Sequence, residues 1–67
     1  MTEIERKVLE VLRKHDGSVS RETLIEQTGV QDQHLYAAVA SLESQGLVKT
    51  LEELGSTPWY AVELSDS

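Results

Sequence analysis

Gln33 and Tyr36 stand three positions apart in a segment of helical apolar spacing, so one helix face can present an amide beside a phenol. Such an amide hydrogen-bonds a base edge or a phosphate, and such a ring stacks on an unpaired base. The plain alternative is that both are ordinary surface residues of a solvated helix. The cations sit elsewhere: Arg6, Lys7, Arg13 and Lys14 near the start, then only Arg21 and Lys49. Arg6, Arg13, Lys14 and Lys49 are therefore the candidates for phosphate contact, and Trp59 is the candidate for a partly exposed aromatic contact. What these residue types offer is recognition, not bond-making. His15 and His34 have no serine or carboxylate pair beside them at a catalytic spacing, and the sequence has no glycine-rich phosphate loop. The expectation is a non-catalytic segment that needs no cofactor.

The elements that must position these residues are punctuated clearly. Thr2 and Glu5 form a capping box, and Ile4, Val8, Leu9, Val11 and Leu12 follow with helical period. This first helix should stop near His15, before the turn pair Asp16-Gly17. Ser18 and Val19 read as a minimal strand. Ser20 caps a two-turn helix over residues 21–27 with Leu24 and Ile25 inward. Gly29 then gives a sharp turn, and Val30 plugs the space between helices. Gln31 or Asp32 opens a third helix that runs to about Gln45 and ends at Gly46, with Leu35, Ala38, Val39 and Leu42 inward. Its exposed positions are Asp32, Gln33, Tyr36, Ala37, Ala40 and Ser44. Two extended runs, residues 47–51 and 59–64, are joined by Gly55-Ser56-Thr57-Pro58. In the second run Tyr60, Val62 and Leu64 alternate toward the core, which puts Trp59, Ala61 and Glu63 on the other face. Pro58 at the strand's start removes no ladder bond.

Sixty-seven residues allow one domain, near the lower limit of independent folding. Ile4, Val8, Leu9, Val11, Leu12, Val19, Leu24, Ile25, Val30, Leu35, Val39, Leu42, Leu47, Val48, Leu51, Tyr60, Val62 and Leu64 are the candidate core. They suffice for three helices on a small hairpin, but not for a deep catalytic pocket. The chain has no cysteine, which excludes disulfides and thiolate metal sites. The expectation is a soluble, cytoplasmic module with no metal and no membrane partner, cut from something larger.

The net charge is −6, and its distribution says more than its sum. Residues 22–48 hold four acidic side chains and no basic one, and residues 50–67 hold four more, again unopposed. Phosphate contact requires cations facing the backbone, so the third helix looks repulsive to DNA. The first helix carries the basic cluster. That cluster either meets RNA or an acidic protein surface, or forms a solvated face balanced by Glu3, Glu5 and Glu10 through pairs such as Glu3–Lys7 and Glu10–Lys14.

The order helix, tight turn, helix, hairpin is that of an α+β winged helix-turn-helix, with three helices plus a small antiparallel β-hairpin as the wing. Asp16-Gly17, Glu22-Thr23-Leu24, Thr28-Gly29, Ala38-Val39, Ser41-Leu42, Gly46 and Ser56-Thr57 before an aromatic carry a more specific likeness. Over residues 11–64 the pattern resembles the N-terminal winged-helix domain of eukaryotic cytosolic phenylalanyl-tRNA synthetase α subunits. The resemblance implies an appended domain that helps engage tRNA, with amino-acid activation in a separate catalytic domain of the parent ligase. Residues 41–46 with Thr57-Pro58 and the aromatic strand are also similar to winged domains that bind left-handed, Z-form nucleic acid. That family uses Lys, Asn and Tyr on its third helix with a wing Trp and prolines. Here Asp32, Tyr36 and Ala40 stand at those positions, with Tyr60 at the Trp and only Pro58 of the prolines, so the fold likeness holds without the activity. Two other functions compete with tRNA engagement: a DNA-binding transcriptional regulator, and a winged helix repurposed for protein–protein interaction through its acidic third helix.

Overall fold

The computed structural model describes residues 1–53, 55 and 58–65. The order is α1 (Glu3–Lys14), β1 (Ser18–Ser20), α2 (Arg21–Thr28), α3 (Asp32–Ser44), β2 (Val48–Leu51) and β3 (Ala61–Leu64). Three helices pack with one antiparallel three-stranded sheet of order β1-β3-β2, an α+β arrangement compatible with a winged-helix-like fold. The expected hairpin is present as β2–β3, and β1 adds a third strand on its far side, with Val19 opposite Val62. Ser56 and Thr57 of the expected connecting turn lie outside the described residues.

Each helix starts and stops where local chemistry dictates. The Thr2 hydroxyl accepts the Glu5 amide at 3.2 Å, and Glu5 Oε1 accepts the Thr2 amide at 3.0 Å, closing the capping box. The Ser20 hydroxyl caps α2 by accepting the Thr23 amide at 3.2 Å. Gly29 ends α2 in the left-handed region (φ 69°), which a side chain would strain. Gln31 occupies the N-cap of α3 but makes no side-chain cap bond. At the other end of α3 the Gly46 and Leu47 amides return to the Glu43 and Leu42 carbonyls at 2.9 and 3.0 Å, a Schellman closure.

That closure explains one departure from the sequence reading. Leu47, expected in the core, serves as the last backbone donor of the α3 cap and remains 37% exposed; β2 begins one residue later with Val48 facing inward. The larger correction concerns the aromatics. Trp59 is only 4% exposed and Tyr60 is 43% exposed, the reverse of the alternation argument. Strand pairing begins only at Ala61, so the period of two does not extend back through residues 59 and 60. The Tyr60 amide donates to the Leu51 carbonyl and its own carbonyl accepts the Arg21 amide, both at 2.9 Å, which fixes the chain as it turns into β3. Ala61, expected to face outward, is buried as well as Val62.

The core joins Val8, Leu9, Val11 and Leu12 of α1 to Leu24, Leu35, Val39 and Leu42, and to Val19, Val48, Val62 and Trp59 from the sheet side. Ile25, Val30, Tyr36 and Leu64 pack around it, half-buried. Truncating Trp59 should therefore empty a packed site. Trp59→Ala is expected to cost about 3–5 kcal/mol, whereas Tyr60→Ala should change stability by no more than about 0.5 kcal/mol. Urea unfolding followed by far-UV circular dichroism measures both; equal losses would contradict the inward assignment of Trp59.

Candidate nucleic-acid interface

The seven sequence candidates do not converge on one surface. On α1, Arg6, Lys7, Arg13 and Lys14 are all exposed. At 100° per residue they occupy an arc of about 120°, with Glu3 and Glu10 running between them. Lys14 Nζ lies 3.4 Å from Glu10, an exposed pair that contributes little to stability. The expected Glu3–Lys7 pair is not among the ion pairs of the described residues. Four cations against two glutamates leave this face locally positive on a chain of net charge −6. Arg13 also borders a surface hollow with Asp16, Ser18, Glu63 and Leu64.

Gln33 is exposed in the first turn of α3, where Asp32 supplies the only charge. Tyr36 is not the free stacking ring that the helical spacing implied. It is half-buried, its ring meets Trp59 edge-on at 5.5 Å and 75°, and its hydroxyl accepts Arg21 Nη1 at 3.2 Å. The same guanidinium nitrogen reaches the Trp59 carbonyl at 3.4 Å. Arg21, at the first position of α2, thus ties α3 to the segment entering β3. No sequence signal announced this, because its partners lie 15 and 38 residues away. Trp59, expected to be partly exposed, is a core residue. Lys49 is exposed on β2 directly opposite Glu63 of β3, a cross-strand pairing that lowers its local charge.

Beside the Tyr36–Trp59 pair, α3 and β2 bound a groove of about 330 Å³ whose lining includes Val39, Glu43, Thr50 and Glu52. The Thr50 hydroxyl donates to Glu43 Oε2 at 3.1 Å across it. Among the described residues no grouping of three or more His, Asp or Glu is placed to hold a metal ion, and no helix is long and apolar enough to cross a membrane.

One buried carboxylate holds the cationic helix on the body. Glu5 is 5% exposed. Besides the capping box, its Oε2 accepts the Ser41 hydroxyl at 3.1 Å and Gln45 Nε2 at 3.0 Å. The Thr2 backbone amide foremost, then the Thr2, Ser41 and Gln45 side chains, outweigh its partial desolvation and hold its pKa down to about 2 from the ordinary 4.5. The capping role was readable from Thr2 and Glu5; the link to α3, 36 and 40 residues away, was not.

Comparisons with protein-family models, characterised proteins and solved structures return no match to this chain.

Because Glu5 has a lowered folded pKa, its contribution is fully present above pH 4.5 and is lost as pH falls toward 2. Glu5→Ala should lower the Tm by several degrees at pH 7. The gap from the parent protein should close progressively between those two pH values. A gap that stays constant in thermal melts down to pH 2.5 would contradict this role for the carboxylate.

Proposed function

We propose that this chain is a non-catalytic winged helix-turn-helix that engages nucleic acid, as a tRNA-engaging domain appended to an aminoacyl-tRNA synthetase α subunit. In this reading β2–β3 is the wing and Gly29 marks the turn between α2 and α3. One observation carries it: four of the five exposed cations lie on α1, while the exposed part of α3 has none. Affinity for a polyanion comes chiefly from cations that displace its counterions. The face that meets RNA is then α1, with Arg6, Lys7, Arg13 and Lys14, and not α3. Gln33 lies on a face that can orient a ligand but has no charge to attract one. Tyr36 and Trp59 support the fold and leave the contact set, and Lys49, facing Glu63, is at most a peripheral contact.

A patch of two to four phosphate contacts gives modest, salt-sensitive binding with little sequence preference. Titration with tRNA at low and moderate salt should show saturable binding that weakens as salt rises. Arg13→Glu combined with Lys14→Glu should weaken it at least about tenfold, equivalent to about 1.4 kcal/mol, with the circular dichroism spectrum unchanged. Unchanged affinity in that variant would remove α1 from the interface. Preference for duplex DNA would instead indicate a transcriptional regulator, and binding to neither would overturn the nucleic-acid reading.

A further inference from the structure

The groove between α3 and β2 has a chemistry that the nucleic-acid reading leaves unused. At about 330 Å³ it lies near the lower end of the roughly 300–1,000 Å³ found for ligand sites. Its lining joins an aromatic and apolar surface (Tyr36, Ala40 and Pro58, backed by the buried Val39 and Trp59) to two carboxylates, Glu43 and Glu52, with no lysine or arginine among the described residues. The aromatic part is held in place before any ligand arrives, because the Arg21 guanidinium fixes the Tyr36 hydroxyl and the Trp59 carbonyl. Glu43 is held by the Thr50 hydroxyl. Lys49 has the opposite strand phase from Thr50, so its charge belongs to the other sheet face. Finally, β2 is an edge strand, with no partner strand on its outer side among the described residues.

The geometry points to a docking site for an extended basic segment of a partner protein, with a lysine or arginine placed between Glu43 and Glu52. The aliphatic stem of that residue lies along Tyr36 and the exposed Ala40, as long cationic side chains do on apolar surfaces. Its charge meets two carboxylates and the Tyr36 ring, a favourable cation–π neighbour. The peptide backbone runs along the outer edge of β2, where main-chain groups supply affinity and the groove supplies side-chain selection. A phosphodiester is the wrong occupant, since both charged groups in the lining would repel it. The site is also independent of the proposed nucleic-acid face, because no α1 residue lines it.

Trp59 is the only tryptophan, so its emission reports on the groove directly. The probe is a capped octapeptide of alternating lysine and threonine, with the glutamate–threonine peptide as its charge-reversed counterpart. The lysine peptide should change Trp59 emission saturably and more weakly at higher salt; the glutamate peptide should not. Glu43→Gln with Glu52→Gln alters two exposed side chains and should preserve the thermal melt while weakening the lysine peptide at least about tenfold. The same variant should leave tRNA titration unchanged, and R13E/K14E should leave peptide binding unchanged, so the two surfaces fail separately. Lysine-peptide binding unaffected by the Gln variants, equal binding of the glutamate peptide, or no saturable change would each overturn the site. Sedimentation of the protein alone should show a monomer; a dimer abolished by the Gln variants would assign the groove to a second copy instead.

Discussion

A chain of this size has one apolar cluster to fold around, and the insertion of Trp59 determines how its two halves meet around that cluster. The β2–β3 hairpin alone would be marginal, as isolated two-stranded hairpins are in water. Trp59 enters the core immediately before β3 begins, stacks edge-on against Tyr36 of α3, and offers its carbonyl to Arg21 of α2. Three elements are thereby fixed relative to one another at one point. β1 closes the other side of β3, and the Leu64 amide bonds the Gly17 carbonyl at 2.7 Å, anchoring the strand's far end beside the end of α1.

This arrangement uses up side chains that would otherwise serve recognition. Tyr36, Trp59 and Arg21 are residue types that commonly dominate interfaces, and here they hold the architecture together. The result is a rigid lining for the groove beside α3. An aromatic surface with fixed orientation loses little conformational freedom when a ligand arrives, whereas flexible surface residues must first be ordered. Structural use and binding use of the pair are therefore divided: Trp59 is buried and backs the groove, while the half-exposed Tyr36 remains accessible from it.

What was legible in the sequence was local. Thr2 with Glu5, Ser20, Gly29 and Gly46 act within a few residues of themselves, and each sets a helix boundary where the spacing predicted it. The inward faces of α1 and α3 followed from their 3.6-residue period. What was not legible was long-range or lay at an element's edge. The alternation of Val62 and Leu64 was projected back onto Tyr60, although pairing ends at Ala61, and the projection exchanged the two aromatics. The reach of Glu5 to Ser41 and Gln45, and of Arg21 to Tyr36, depends on how helices cross, which no short window of sequence contains. The candidate cations on α1 were read correctly as exposed because they sit on the solvent side of a strongly amphipathic helix.

A net charge of −6 does not by itself forbid contact with a polyanion, because sums are the wrong measure at this scale. Screening acts over about 8 Å at physiological ionic strength, while the shortest dimension of the domain is 21 Å. A ligand therefore responds to the charges on the face it approaches and only weakly to those elsewhere. The first helix presents four cations separated by two glutamates; the α3–β2 groove presents two carboxylates and no cation. On the two proposed readings, segregating the signs in this way would let one small body attract partners of opposite charge on separate surfaces. On the proposed nucleic-acid reading, the residual negative charge would limit non-specific adhesion, because a phosphate chain that strayed from α1 would meet carboxylates. Electrostatics here sets orientation more than strength, as expected where exposed charges steer an encounter and contribute modestly to the final affinity.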